Sequence, residues 1–436
     1  MEGDLFMLSI VGFITIVTIV AILLRGKTIP IIPLIIIPII AALVTGFGLA
    51  DIGGFFTEGA EKVMNVVIMF IFAILYFGLM QQVGLFDPLI NRMVQITQGN
   101  VVTISVGTVI IAAIAHLDGS GASTFLITIP ALLPLYQRMK MNPYLLLLLI
   151  GGSASIMNMI PWAGPLGRAA AVLEMDVTEL WRPLIPIQVI GMLLMIGLAI
   201  FLGLMEKRRI ERKYGATSFV VEEVKEQVDK KEEKPKFLWF NLLLTILVVI
   251  MLVWGVFPAG LVFMIALSIA LIVNFSTADE QNETIRKHAG NALTMGTIIL
   301  AAGSFLGILT GTGMLDSIAT DTVKIIPNAI SPYIHLIIGF LGVPLDLLLS
   351  TDAYYFALLP VAEQIGLTFG IPSLSTTYAM IVGNIVGTFV SPFSPALWLA
   401  LGLAGLEMGK HIRYSFFWLW GVSIVLLIVS YIMGLI

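Results

Sequence analysis

The sequence predicts an all-α polytopic membrane protein made of two inverted repeats of about five crossings each, every repeat containing one re-entrant hairpin and one interrupted helix. Three observations predict it. Of 436 residues, 58% are hydrophobic and only 11% charged, with a mean hydropathy of +1.03, which leaves too little polar surface for a soluble domain. Apolar runs close to the roughly 20 residues that a spanning helix needs recur along the whole chain. The second half also repeats landmarks of the first at a near-constant shift.

The first apolar run, 5–24, follows Glu2 and Asp4 and not a basic segment, so it is expected to be a retained helix and not a cleaved leader. A second run covers 28–49, a polar link is expected at 51–62 (DIGGFFTEGAEK), and a third helix at about 63–80. Residues 88–98 read as an interfacial amphipathic piece. Then comes HLDGSGASTF, 116–125, between two apolar arms at 101–115 and 126–137 that are each short for a bilayer. A hairpin that enters and leaves on one side places Asp118 deep in the membrane, where a charge is costly and marks a site.

A crossing from 144 is interrupted at 158–165 (NMIPWAGP), because two prolines and a glycine in eight residues cannot propagate a helix. A short piece to 173 and a crossing at 184–205 complete the first repeat, 1–205. Residues 206–236 hold ten Lys/Arg and eight Asp/Glu, a mixed-sign hydrophilic link that gives no support to nucleic-acid binding. The second repeat is 237–436. FGLMQQVGLFD (77–87) matches LGILTGTGMLD (306–316) at a shift of 229, as do Gly26 and Gly255, and Pro143 and Pro372. Pro130 pairs with Pro360 and Pro165 with Pro395 at 230, and Pro161 with Pro392 at 231. A second hairpin turn is therefore expected around Ser350, Thr351 and Asp352, and a second interruption at 384–395.

An odd number of crossings per repeat forces the second to be inverted. With the link inside, 19 of the 23 Lys/Arg fall on cytoplasmic loops, the positive-inside pattern, and both termini lie outside the cell. Paired hairpins and interrupted helices are the parts of a secondary transporter whose site lies near the midplane. Free amides at the breaks hold anions, and free carbonyls hold cations. Gly119-Ser120-Gly121 with His116 could alternatively be an intramembrane serine hydrolase, but a lone GSG is a weak motif and a hydrolase has no use for the duplication. The chain has no Cys and four His, so neither a disulfide framework nor a Cys/His metal cage is available.

HLDGSGASTFLIT (116–128), MNMIPWAGPLGRAAAVL (157–173), STDAYYFALLPV (350–361) and SPFSPALWLALGLAGL (391–406) resemble the citrate-metal:proton symporter (CitMHS) family of the ion-transporter superfamily. The resemblance covers essentially the whole chain. It implies a plasma-membrane symporter for citrate carried with a divalent metal of the Mg or Ca class, driven by protons, with no permanently bound cofactor. It also implies a homodimer whose transport units move against a scaffold as an elevator. Another di- or tricarboxylate, sodium coupling, or cation/proton antiport on the same scaffold are the alternatives.

Among candidate residues, Arg168 follows the first break, and its planar fork suits a carboxylate. Asn158 and Asn384 stand at the two breaks, for substrate or for capping. Ser120, Gly121, Ser123, Thr124, Gly164, Ser350, Thr351, Thr388, Ser391 and Ser394 are the expected substrate lining. Asp118 and Asp352 are expected to bind the metal, carry the coupling proton or cap a hairpin helix, and His116 to relay protons or to bond a turn carbonyl.

Overall fold

The computed structural model describes residues 2–25, 27–88, 100–214, 237–327 and 330–436, and all secondary structure among them is helical. The interfacial piece expected at 88–98 and most of the charged link lie outside the described residues. Chain order gives α1 (Glu2–Leu24), α2 (Ile31–Val44), α3 (Leu49–Gln82), α4 (Val101–Ala115), α5 (Gly121–Arg138), α6 (Pro143–Met157), α7 (Gly164–Val172), α8 (Val177–Trp181) and α9 (Ile185–Tyr214). After the link come α10 (Leu238–Trp254), α11 (Ala259–Asn274), α12 (Ala278–Gly311), α13 (Met314–Ile325), α14 (Ile334–Phe340) and α15 (Gly342–Asp346). A wide π-helical turn, Ala353–Leu358, then leads into α16 (Leu359–Thr368), α17 (Ser373–Ile385), α18 (Pro395–Ala404) and α19 (Met408–Ile432).

Among the described residues five helical stretches are long and apolar enough to cross a bilayer, 49–82, 101–118, 177–213, 278–311 and 408–432, and seven shorter apolar helices accompany them. The first hairpin arm thus reaches spanning length once its terminal 3-10 turn, His116–Asp118, is counted. Apolar side chains such as Ile14, Ile36, Leu243 and Ile265 face outward on α1, α2, α10 and α11, as expected for surfaces that meet lipid.

The link expected at 51–62 is instead the first part of α3. Asp51 accepts a hydrogen bond from the Gly48 amide at 3.0 Å and so caps the helix, which then continues unbroken for 34 residues. α12 is also 34 residues long and begins with the Thr277/Glu280 capping box. The two cross with almost no side chain between them: a Cβ on Gly59 would lie 2.1 Å from the Gly303 carbonyl oxygen, and one on Gly307 would lie 2.2 Å from that of Phe55. Only glycine allows backbones this close. α2 packs on α12, and α11 packs on α3.

Candidate functional site

The first hairpin tip is built by local hydrogen bonds. Gly119 turns the chain with φ +72°, in the left-handed region that glycine enters without penalty. Asp118 then folds back over the start of α5: its Oδ1 accepts from the Ser120 amide at 2.9 Å, and its Oδ2 accepts from the Ser123 hydroxyl. Ser120 caps α5, its Oγ accepting from the Ser123 amide at 3.4 Å. Thr124 donates to the Ser120 carbonyl at 2.8 Å.

Two contacts fix the tip against the first break. Trp162 Nε1 donates to the Leu117 carbonyl at 2.8 Å, and the Trp162 ring stacks on Phe77 of α3 at 4.7 Å. Beneath it, His116 is fully buried, with Nδ1 2.7 Å from Thr124 Oγ1 and Nε2 2.9 Å from Asn158 Oδ1. Both ring nitrogens are therefore engaged, and the histidine ties hairpin to break. Gly121 packs against the other break, where its added Cβ would meet the Phe389 ring at 2.6 Å.

Asp118, Ser120, Ser123 and Gly164 line a cavity of about 500 Å³, closed on the far side by Gln81 of α3 and by His288, Asn291 and Thr294 of α12. Sequence reasoning missed those four residues because Gln81 lies just past the run read as the third helix, and the other three follow the charged stretch around Arg286 and Lys287 that reads as a loop and is instead the start of α12. Arg168, on α7, stands behind Gly164. A Cβ at 164 would lie 2.5 Å from Nη1 of the guanidinium.

The guanidinium is not alone. Arg168 Nε donates to Asp352 Oδ1 at 2.6 Å, with 11% and 16% of the two side chains exposed, and its Cζ lies 5.9 Å from the centre of the Phe356 ring. This pair joins the first break to the second hairpin tip, where Ser350 Oγ accepts from the Ala353 amide at 3.2 Å and Thr351 is half-buried. Asp352 directly precedes the π-helical turn, a distortion common at functional positions.

The second break is assembled separately. Ser391 donates to the Asp346 carbonyl at 2.5 Å. Asn384 Nδ2 donates to the Gly342 carbonyl at 3.4 Å, Thr388 donates back to the Ile385 carbonyl at the end of α17, and Ser394 sits ahead of α18. Ser350, Thr351, Asn384, Thr388, Ser391 and Ser394 are outside the lining of the 500 Å³ cavity.

The sequence profile of the citrate transporter family matches residues 5–383, which include both hairpin tips and the whole first break. The chain belongs to the citrate transporter family. A "Citrate transporter" of Bacillus subtilis (strain 168) is 36% identical over 430 residues, covering 99% of this chain and all of that protein. A "Mg(2+)/citrate complex secondary transporter" of the same organism is 35% identical over 431 residues, covering 98% of this chain and 99% of that one. Among solved structures, the Alcanivorax borkumensis YdaH transporter, described as having an unusual topology, superposes with a TM-score of 0.61 at 19% identity over 88% of this chain and 87% of its own. At that identity the likeness extends to the fold. Within the citrate transporter family frame, the cavity at the first hairpin tip is the place where a substrate-sized space, a carboxylate and a nearby guanidinium coincide.

Proposed function

We propose that this chain is a secondary transporter that imports citrate as its complex with a divalent metal of the Mg or Ca class, coupled to protons. The observation that carries the reading is the charge around the cavity. Asp118 supplies a carboxylate to the wall, and Arg168 stands behind Gly164. Bare citrate, a polyanion, would meet Asp118 with only His288 as a titratable counterpart among the lining residues. The complex removes that conflict: its metal faces Asp118, while a free carboxylate faces Arg168 Nη1.

Among the described residues no three His, Asp or Glu gather as a metal cage, so a metal at Asp118 draws its remaining oxygens from Ser120, Ser123, water and citrate. A cation held in this way travels as cargo. Likeness to a relative named for the Mg(2+)/citrate complex supports the same substrate.

The two halves, 1–205 and 237–436, act as inverted repeats around this site, with 206–236 cytoplasmic and both termini outside the plasma membrane. Hairpins and interrupted helices form the moving unit. The long apolar helices at 5–49, 184–205, 237–275 and 412–434 form the scaffold of a homodimer against which it slides. The reciprocal packing of α2 on α12 and α11 on α3 supports a two-fold relation between halves. The direct test is uptake of labelled citrate into proteoliposomes across a series of divalent metals, under imposed pH or sodium gradients. Uptake that ignores both metal and gradient would remove the reading.

A further inference from the structure

Asp346 ends α15, inside the second hairpin, and is 1% exposed. Its Oδ2 is buried with no hydrogen-bond partner, while its backbone carbonyl accepts from Ser391. The Tyr355 hydroxyl, on the returning arm, is likewise buried and unpartnered. Glycines bring backbone close around it: a Cβ on Gly342 would lie 2.3 Å from the Gly383 carbonyl carbon, so α15 lies directly against α17. At Gly387 an added Cβ would sit 2.5 Å from Asp346 Oδ2 and 3.2 Å from the Asn384 carbonyl oxygen.

An ionised carboxylate here would be buried with no cation in contact, and such a charge is among the most costly things a protein interior can hold. A metal ion needs room for several oxygen ligands. A proton needs none, and a neutral carboxylic acid costs far less to bury than a carboxylate. The other titratable groups that face Asp346 are few. Tyr354 and Tyr355 on the returning arm lie within its field, and Tyr355 also lies within that of Arg168. His335 on α14, Tyr378 on α17 and His411 on α19 belong to the helices packed around it, and His411 Nε2 is 3.1 Å from the Phe389 carbonyl oxygen.

We infer that Asp346, buried against Gly387 with no partner for its Oδ2, is the residue that carries the coupling proton. This rests on the proton-coupled reading above and names its carrier. The link to substrate is electrostatic. With Asp346 and Asp352 both ionised, Arg168 is outnumbered by carboxylates. With Asp346 protonated, Arg168 is balanced by Asp352 alone, and a negatively charged substrate is accepted more readily. Proton and substrate then favour each other's binding.

The experiment pairs a transport and a spectroscopic readout on the full-length protein. Asp346→Asn should lower pH-gradient-driven citrate accumulation at least tenfold while retaining counterflow exchange within a few-fold, since the amide stands for the protonated acid. Its infrared difference spectrum against the parent should show loss of a carboxylic-acid C=O band at neutral pH. Gly387→Ala keeps the carboxyl but crowds Oδ2, and should displace the pH profile of uptake. Parent-like accumulation and pH dependence in Asp346→Asn, loss of exchange in well-folded Asp346→Asn, or an unchanged infrared band would each overturn the assignment. If the parent takes up no citrate, the transport reading fails. The infrared comparison still decides whether Asp346 holds a proton.

Discussion

Arg168 and Asp352, 184 residues apart in sequence, form an ion pair of 2.6 Å that bolts the first interrupted helix to the second hairpin tip. The pair leaves the guanidinium's Nη1 beside Gly164, so that glycine alone stands between the arginine and the cavity it lines.

Removing either partner leaves the other charge buried. Arg168→Ala should therefore destabilise the protein by about 3 kcal/mol, with the double variant Arg168→Ala/Asp352→Ala recovering part of that loss. Thermal unfolding in detergent measures the cycle. Additive losses would mean that the pair contributes nothing.

Arg168→Lys keeps the charge but not the fork. It should raise the half-saturating concentration for metal–citrate about tenfold or more, or abolish uptake. Unchanged citrate affinity in purified, folded Arg168→Ala protein would exclude the arginine from the ligand shell.

Asp118→Asn should remove the metal requirement selectively. Binding of the metal–citrate complex is expected to weaken at least tenfold, because an amide is a poorer oxygen donor to a hard cation than a carboxylate. Calorimetric titration with citrate at fixed metal reads this directly, and equal affinities in parent and variant would move the metal elsewhere.

Gly164→Ala places a methyl 2.5 Å from Arg168 Nη1 at a helix start where the backbone itself tolerates alanine. Uptake should fall while melting temperature stays within a few degrees of the parent. The contrast is Gly119→Ala, which forces a side chain to φ +72° and against Trp162, and should cost about 1–2 kcal/mol in stability as well.

Orientation is testable because the chain lacks cysteine. Glu211→Cys at the exposed end of α9 should resist an impermeant thiol reagent on intact cells and react after permeabilisation, whereas labelling from outside would invert the topology.

Much of this could be read from residue patterns. Glycine and polar residues between apolar arms marked the first hairpin turn, and Pro161, Gly164 and Pro165 marked where α6 gives way to α7. Residues 51–62 misled because their glycines and acids look like a loop, yet Asp51 closes a cap and the rest of the segment is half exposed, which suits the end of a long helix. The partner of Arg168 is 184 residues away, out of reach of any local pattern. Nothing in the local sequence around Asp346 reports that one of its oxygens has no partner. Pairing at long range and the absence of pairing are properties of packing, and periodicity carries neither.

The crossing of α3 and α12 at Gly59, Gly303 and Gly307 has a consequence for assembly. Backbone lies on backbone there, so the halves adhere through a surface that neither lipid nor water can share. Residues 1–205 and 237–436 made as two separate polypeptides should therefore find each other in the bilayer and copurify, and a single methyl at position 303 should be enough to keep them apart.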